Sequence, residues 1–188
     1  EAGVAGVATE AVHTSQVGEG IAPVAGVAMA MLRATQVRAL YVGFGSSSEL
    51  LVPPHAPSFA LADSLAAAAL EASRILRRPL LLHSCGCEAL QQRWEAQLQA
   101  AAKAHEAAEA RAYVVPGELP LAWVLSRCEV AFHHAGAGTC ACALRSGVAQ
   151  LLLPLVFDQF ATADRLADLG VAVRLHRSAF EAADRTEG

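Results

Sequence analysis

From Arg38 onward, short unbroken apolar runs alternate with longer stretches whose apolar residues return every three or four positions. These are the periodicities of buried strand and amphipathic helix. Ala39–Phe44 (ALYVGF), closed by Gly45 and three serines, predicts a buried strand followed by a turn. Pro53, Pro54 and Pro57 exclude a helix between that turn and Ser58. Ser58 is placed to cap a helix over 60–76 whose face is Leu61, Leu65, Ala68 or Ala69, Ala72 and Leu76. Further strands are predicted over 79–84, 111–115, 129–133, 150–153 and 171–175. Further helices are predicted over 88–110, 121–126, 136–146 and 160–169, the last closed by Gly170, with Ser178 capping the start of one more.

Before Arg38 the pattern lapses. Residues 1–36 repeat Gly, Ala and Val without a clear period and read as a lead-in or linker, leaving 37–188 as the folded domain. The longest apolar stretch, Ile21–Leu32, is broken by Pro23 and Gly26 and falls short of the ~20 residues a membrane span requires.

Regular alternation of strand and helix predicts an α/β fold, a Rossmann-like parallel sheet of about six strands with helices on both faces. With the common strand order 3-2-1-4-5-6, the sheet reverses direction between the first and fourth strands, and ligands bind beyond the carboxyl ends there. Both glycine-rich turns of the chain follow those two strands: Gly43-Phe44-Gly45-Ser46-Ser47 and His134-Ala135-Gly136-Ala137-Gly138-Thr139. Their convergence is the central expectation.

Composition narrows the classes. Hydrophobic residues make up 54% of the 188, and 42 are Ala, so small side chains build much of the core. The net charge is −4 and no basic cluster exceeds Arg77–Arg78, which excludes an electrostatic footprint for nucleic acid. Five cysteines, an odd number, sit as Cys85-x-Cys87, Cys128 and Cys140-x-Cys142; this predicts a reducing compartment rather than a disulfide framework. One intervening residue is too few for a structural zinc pair, and no metal is expected.

A glycine turn entering a helix lets backbone N–H groups approach an anion, and the helix dipole adds its positive end. Gly136, Ala137, Gly138 and Thr139 fit such a cradle, but a tight turn with Thr139 as a plain N-cap fits equally. A dinucleotide is excluded: the third glycine would stand at Ser48, and the second strand ends in His83-Ser84-Cys85 with no acid for the ribose. The P-loop pattern is also absent. A nucleotide diphosphate of another kind fits better. Of His133 and His134, strand alternation lets one face the crevice. Asp158 and Gln159 follow the fifth strand, where a carboxylate and an amide suit a polyhydroxyl ligand; Asp158 as helix cap is the competing reading.

The segment His133-His134-Ala135-Gly136-Ala137-Gly138-Thr139 resembles the His-His-Gly-Gly-Ala-Gly-Thr motif of sterol 3β-glucosyltransferases and related bacterial antibiotic glycosyltransferases. The likeness continues through Leu144–Gln150, Pro154, Asp158-Gln159 and Ala163–Val171, and upstream through Tyr41–Ser46 and Pro120–Trp123. It implies the C-terminal, UDP-sugar-binding half of a GT-B enzyme. His134 and Gly136–Thr139 would hold the diphosphate, with Gly45 and Ser46 opposite. Trp123 would lie near the uracil, and Asp158 and Gln159 would hold the sugar hydroxyls. The implied reaction is transfer of a hexose, glucose foremost, from UDP-sugar to a hydroxyl of a lipid, sterol or other lipophilic acceptor. UDP-sugar is the donor substrate and no cofactor is implied.

Four positions depart from the pattern: Ala135 stands for a Gly, Leu121 and Ala122 replace His and Asp before Trp123, and Cys142 stands where plant relatives place a ribose-binding Glu. The family's catalytic base belongs to an N-terminal acceptor domain. That domain is expected in cis or as a separate chain, with this chain inactive alone, truncated at its C-terminal end, and cytoplasmic or peripheral at a membrane. The alternative is a non-catalytic UDP-sugar-binding subunit.

Overall fold

The computed structural model describes residues 21–34, 36–52, 60–104 and 111–181. Six strands form one sheet: β1 (Ala39–Gly43), β2 (Leu80–His83), β3 (Ala112–Val115), β4 (Cys128–His133), β5 (Ala149–Leu152) and β6 (Ala172–Arg174). All pairings are parallel and the order is β3-β2-β1-β4-β5-β6. The predicted strands are all present, differing from their expected bounds by one or two residues. The reversal falls between β1 and β4, where the two glycine turns leave the sheet. A 3₁₀-helical turn, Gly45–Leu51, continues β1.

The alternation of side chains along β1 divides the core. Leu40 and Val42 point to the face covered by α2 (Ala60–Leu76) and α3 (Glu88–Ala104), where Leu61, Leu65, Leu90 and Trp94 are buried. Ala39 and Tyr41 point to the other face, covered by α1 (Ile21–Ala34), α4 (Leu121–Leu125) and α5 (Ala137–Ser146). A smaller cluster of Ala135, Cys140, Leu152, Ala163 and Leu166 joins α5 and β5 to α6 (Gln159–Asp168), and α7 (Ser178–Glu181) follows β6. The sheet is therefore sandwiched, as a parallel sheet requires.

One segment differs from expectation. Residues 21–34, read from sequence as part of an aperiodic lead-in, form α1, whose Ala28, Met31 and Leu32 are buried against Tyr41 and Leu81. The helical stripe was masked because the exposed face is also built of small apolar residues, and Pro23 stands in the first turn, where proline is tolerated. Residues 1–20, the proline loop with Ser58, and residues 105–110 of the helix predicted over 88–110 lie outside the described residues. Among the described residues no helix is long and apolar enough to cross a membrane.

Trp94 is fully buried and its indole N–H donates to the Ala62 carbonyl at 3.1 Å, pinning α3 to α2. Trp94→Ala is expected to lower unfolding free energy by about 3–5 kcal/mol, and Trp94→Phe by distinctly less; urea titration followed by circular dichroism measures both.

Candidate functional site

The carboxyl edge of the sheet at β1 and β4 holds the site, and the His134 ring organises it. His134 is 6% exposed and stands between the two glycine turns. A Cβ placed on Gly136 would come within 2.3 Å of its Nε2, and one placed on Gly45 within 3.1 Å of its Cε1. Both turns therefore lack a side chain because the same imidazole occupies the space. Gly45 also has a φ of +54°, which favours glycine independently. The two bends meet as expected, and His134 Nδ1 is buried without a hydrogen-bond partner. Burial lowers the His134 pKa, so the ring is neutral.

Beyond His134, α5 begins with Gly136 in extended conformation as its N-cap, and no side chain caps the helix. The first-turn N–H groups of Ala137, Gly138 and Thr139 are left for an external acceptor. Thr139 is thus inside the first turn rather than at the N-cap, correcting one of the readings above. Ala137 and Gly138 are exposed, and nothing lies within 4 Å of a Cβ on Gly138. Across the crevice Ser46 is exposed at the tip of the first turn.

Ala135 has a φ of +67°. This explains the glycine of the related motif: an L-residue there costs about 1 kcal/mol or more, partly offset here because the Ala135 methyl is buried beside Cys140 and Leu152. Its N–H donates to His133 Nδ1 at 3.3 Å. His133 faces away from the crevice, fully buried, and its Nε2–H donates to Gln150 Oε1 at 3.2 Å. Desolvation pulls its pKa down to about 4.

At the end of β5, Asp158 precedes α6 and is exposed, and its carboxylate makes no capping hydrogen bond. Of the two readings of Asp158, the side-chain cap is therefore absent. Gln159 follows Asp158 and opens α6. It is buried, its Oε1 accepts from the Leu155 and Val156 N–H groups at 2.9 and 3.1 Å, and its Nε2 donates to Ser47 Oγ at 3.1 Å.

Trp123 is half-buried on α4 with the Arg127 guanidinium 3.8 Å from its ring centroid and that of Arg33 at 5.6 Å. Arginines of this chain stack there. Gly43 also has a different reason from the one expected: a Cβ there would strike the Tyr41 hydroxyl at 2.3 Å. That hydroxyl donates to His83 Nδ1 at 2.8 Å, and His83 Nε2–H donates to the Gly117 carbonyl at 2.7 Å. Burial lowers the His83 pKa, so the residue ending β2 is a neutral internal strut. Phe157 gave no signal in the sequence; it is 88% exposed with a φ of +53°, forming the lip beside Asp158. Among the described residues no three His, Cys, Asp or Glu side chains group as a metal site, and the five thiols are unpaired.

The buried histidines set a pH dependence. Unfolded His133 titrates near 6.5 and folded His133 near 4, so between those values the unfolded chain binds more protons. Stability should be full above about pH 6.5 and fall by about 3 kcal/mol as pH drops to 4, with His83 and His134 acting in the same direction. His133→Asn should flatten, without abolishing, this slope in urea midpoints measured from pH 7 to 4.5.

Residues 98–187 match the family described as erythromycin biosynthesis protein CIII-like, C-terminal domain. A sterol 3-beta-glucosyltransferase of Aspergillus terreus is 43% identical over 58 residues, 31% of this chain and 4% of that protein. One of Komagataella phaffii is 34% identical over 61 residues, 32% of this chain and 5% of that protein. The match to these relatives thus spans about a twentieth of their length. Among solved structures, Arabidopsis thaliana UGT89C1 complexed with UDP-L-rhamnose superposes with a TM-score of 0.53 at 22% identity, covering 81% of this chain and 33% of that one. The glycotransferase of kitacinnamycin superposes with a TM-score of 0.50 at 21% identity, covering 77% and 32%. These superpositions bear out the fold, and the family match over residues 98–187, which contain the His133–Gly170 segment, bears out the resemblance that segment carries.

Proposed function

We propose that this chain is the donor-binding domain of a UDP-sugar-dependent glycosyltransferase. The observation that carries the reading is the His134 ring between the two glycine turns, with an uncapped helix amino end directly beyond it. The diphosphate would lie over Gly136–Thr139 and His134, with Gly45 and Ser46 opposite and Asp158 accepting from sugar hydroxyls. In transfer, the acceptor oxygen bonds to the anomeric carbon while the bond from that carbon to the diphosphate oxygen breaks. Negative charge develops on the leaving diphosphate, where preorganised N–H dipoles stabilise it most. Likeness to the sterol glucosyltransferases supports glucose or a related hexose as the sugar and a sterol, lipid or other lipophilic hydroxyl as acceptor. The base that deprotonates that hydroxyl belongs, on this reading, to an acceptor-binding domain, so the 188-residue chain binds donor without turnover.

Isothermal calorimetry with UDP-glucose tests this; absence of binding at millimolar ligand to a demonstrably folded sample overturns it. Because Gly138 faces open space, Gly138→Leu should leave the melting temperature unchanged while weakening UDP-glucose by about 100-fold or more. Asp158→Asn should weaken UDP-glucose by about 3- to 10-fold and leave UDP unaffected.

A further inference from the structure

Parallel pairing puts the amino ends of all six strands, and the carboxyl ends of the helices that feed them, on the edge opposite the crevice. An arginine stands one or two residues before each of the first four strands: Arg38, Arg78, Arg111 and Arg127. Backbone bonds set them side by side. The Ala39 N–H donates to the Arg127 carbonyl at 3.0 Å, that of Leu40 to the Pro79 carbonyl at 2.7 Å, and that of Leu80 to the Arg111 carbonyl at 2.9 Å. A strand spacing of about 4.8 Å makes this a row about 14 Å long. No stretch of the sequence carries such a cluster; the topology assembles it.

The middle of this row is marked twice. Helix α2 runs into Arg77 at a φ of +52°, with the Arg78 N–H donating back to the Ser73 carbonyl at 3.0 Å. Gly147 and Gly170 take the same left-handed place after α5 and α6, where Val148 and Val171 donate back to Ala143 and Leu166. An arginine is thus kept where glycine is less strained. Beside it Ile75 and Leu76 are 64% and 48% exposed, and Ile75 is the most exposed large aliphatic side chain among the described residues. Glu129 pairs with Arg78 at 2.5 Å and Glu71 with Arg74 at 2.6 Å. Arg38 and Arg77 are exposed and make no ion pair among the described residues. Glu106 and Glu109, in the connection before Arg111, lie outside the described residues.

We propose that this edge is a docking face for an anionic phospholipid bilayer, with Arg38 and Arg77 on lipid phosphates and Ile75 and Leu76 at the acyl boundary. An acidic polypeptide would satisfy the arginines and leave the aliphatic pair against charged groups. A bilayer offers phosphate and, within about 5–10 Å of depth, hydrocarbon. The net charge of the chain is −4, so an anionic surface attracts it only when this edge is turned toward that surface.

Sedimentation of the full chain with vesicles tests the assignment, using phosphatidylcholine alone against phosphatidylcholine with about 30% phosphatidylserine. In about 0.1 M salt, binding should require the anionic lipid, and it should fall by about 10-fold or more in 0.5 M salt. Arg38→Gln and Arg77→Gly should each weaken it by about 5-fold. Arg77→Gly should not lower the melting temperature, because it relieves the left-handed residue, and this separates lost binding from lost fold. Ile75→Ser combined with Leu76→Ser should weaken binding by about 10-fold. Equal binding to neutral and anionic vesicles, binding to neither, or full binding by the arginine variants or by the serine double variant overturns the proposal. Capture by polyglutamate with the same arginine dependence, but not by vesicles, assigns the edge to an acidic polypeptide and overturns it as well. The outcome is independent of the donor reading, since the crevice lies on the opposite edge.

Discussion

The crowding of one imidazole between two backbone bends is the constraint from which the rest of the site follows. With a Cβ distance of 2.3 Å to Nε2 at Gly136 and 3.1 Å to Cε1 at Gly45, the His134 ring leaves no room for a side chain on either turn. The backbones come close because of it, and the amino end of α5 is left open beside them. A pocket of this kind is a property of the sheet reversal. Only between β1 and β4 do the connections leave toward opposite sides, so only there can two strand-ends and a ring share a crevice.

Strand alternation then separates two chemically identical neighbours. His133 points inward, is fixed in one neutral form by the Gln150 oxygen and the Ala135 N–H, and supports the left-handed residue that starts the turn. His134 points to the crevice and keeps a buried ring nitrogen without a partner. Leaving such an atom unpaired is unfavourable. The Ala135 backbone, forced to a positive φ, redirects the chain from strand to helix within two residues.

Small residues serve unlike purposes a few positions apart. Gly43 makes room for the Tyr41 hydroxyl and its bond to His83, an internal strut across β1, β2 and the segment after β3. Gly45 and Gly136 make room for His134, and Gly138 borders open space. Polar side chains divide likewise. Asp158 is exposed and unbonded at its helix start, whereas the adjacent Gln159 is consumed by the loop and by Ser47. Residue type and spacing are the same information in each pair, and the direction in which the backbone presents them decides the role.

The strands, most helices and the place of the crevice were legible in the sequence, because periodicity reports burial locally and the alternation of strand and helix leaves few parallel topologies. The run from His133 to Gly170 was legible by another route, its residue-by-residue resemblance to a known motif. Helix α1 was not legible, since small apolar residues on its exposed face erased the stripe that Ala28, Met31 and Leu32 would otherwise have drawn. Nor were the Gln159–Ser47 bond, the stacking of Arg127 on Trp123 and the reason for Gly43 legible. Each depends on a partner that folding brings near by a route the local pattern does not encode. The sequence by itself determined which segments are buried and where the glycine turns leave the sheet, because hydrophobic periodicity is a local property. The tertiary structure alone decided which side chains of those turns are bonded within the protein and which stay exposed, because hydrogen-bond partners 112 residues apart are brought together only by folding.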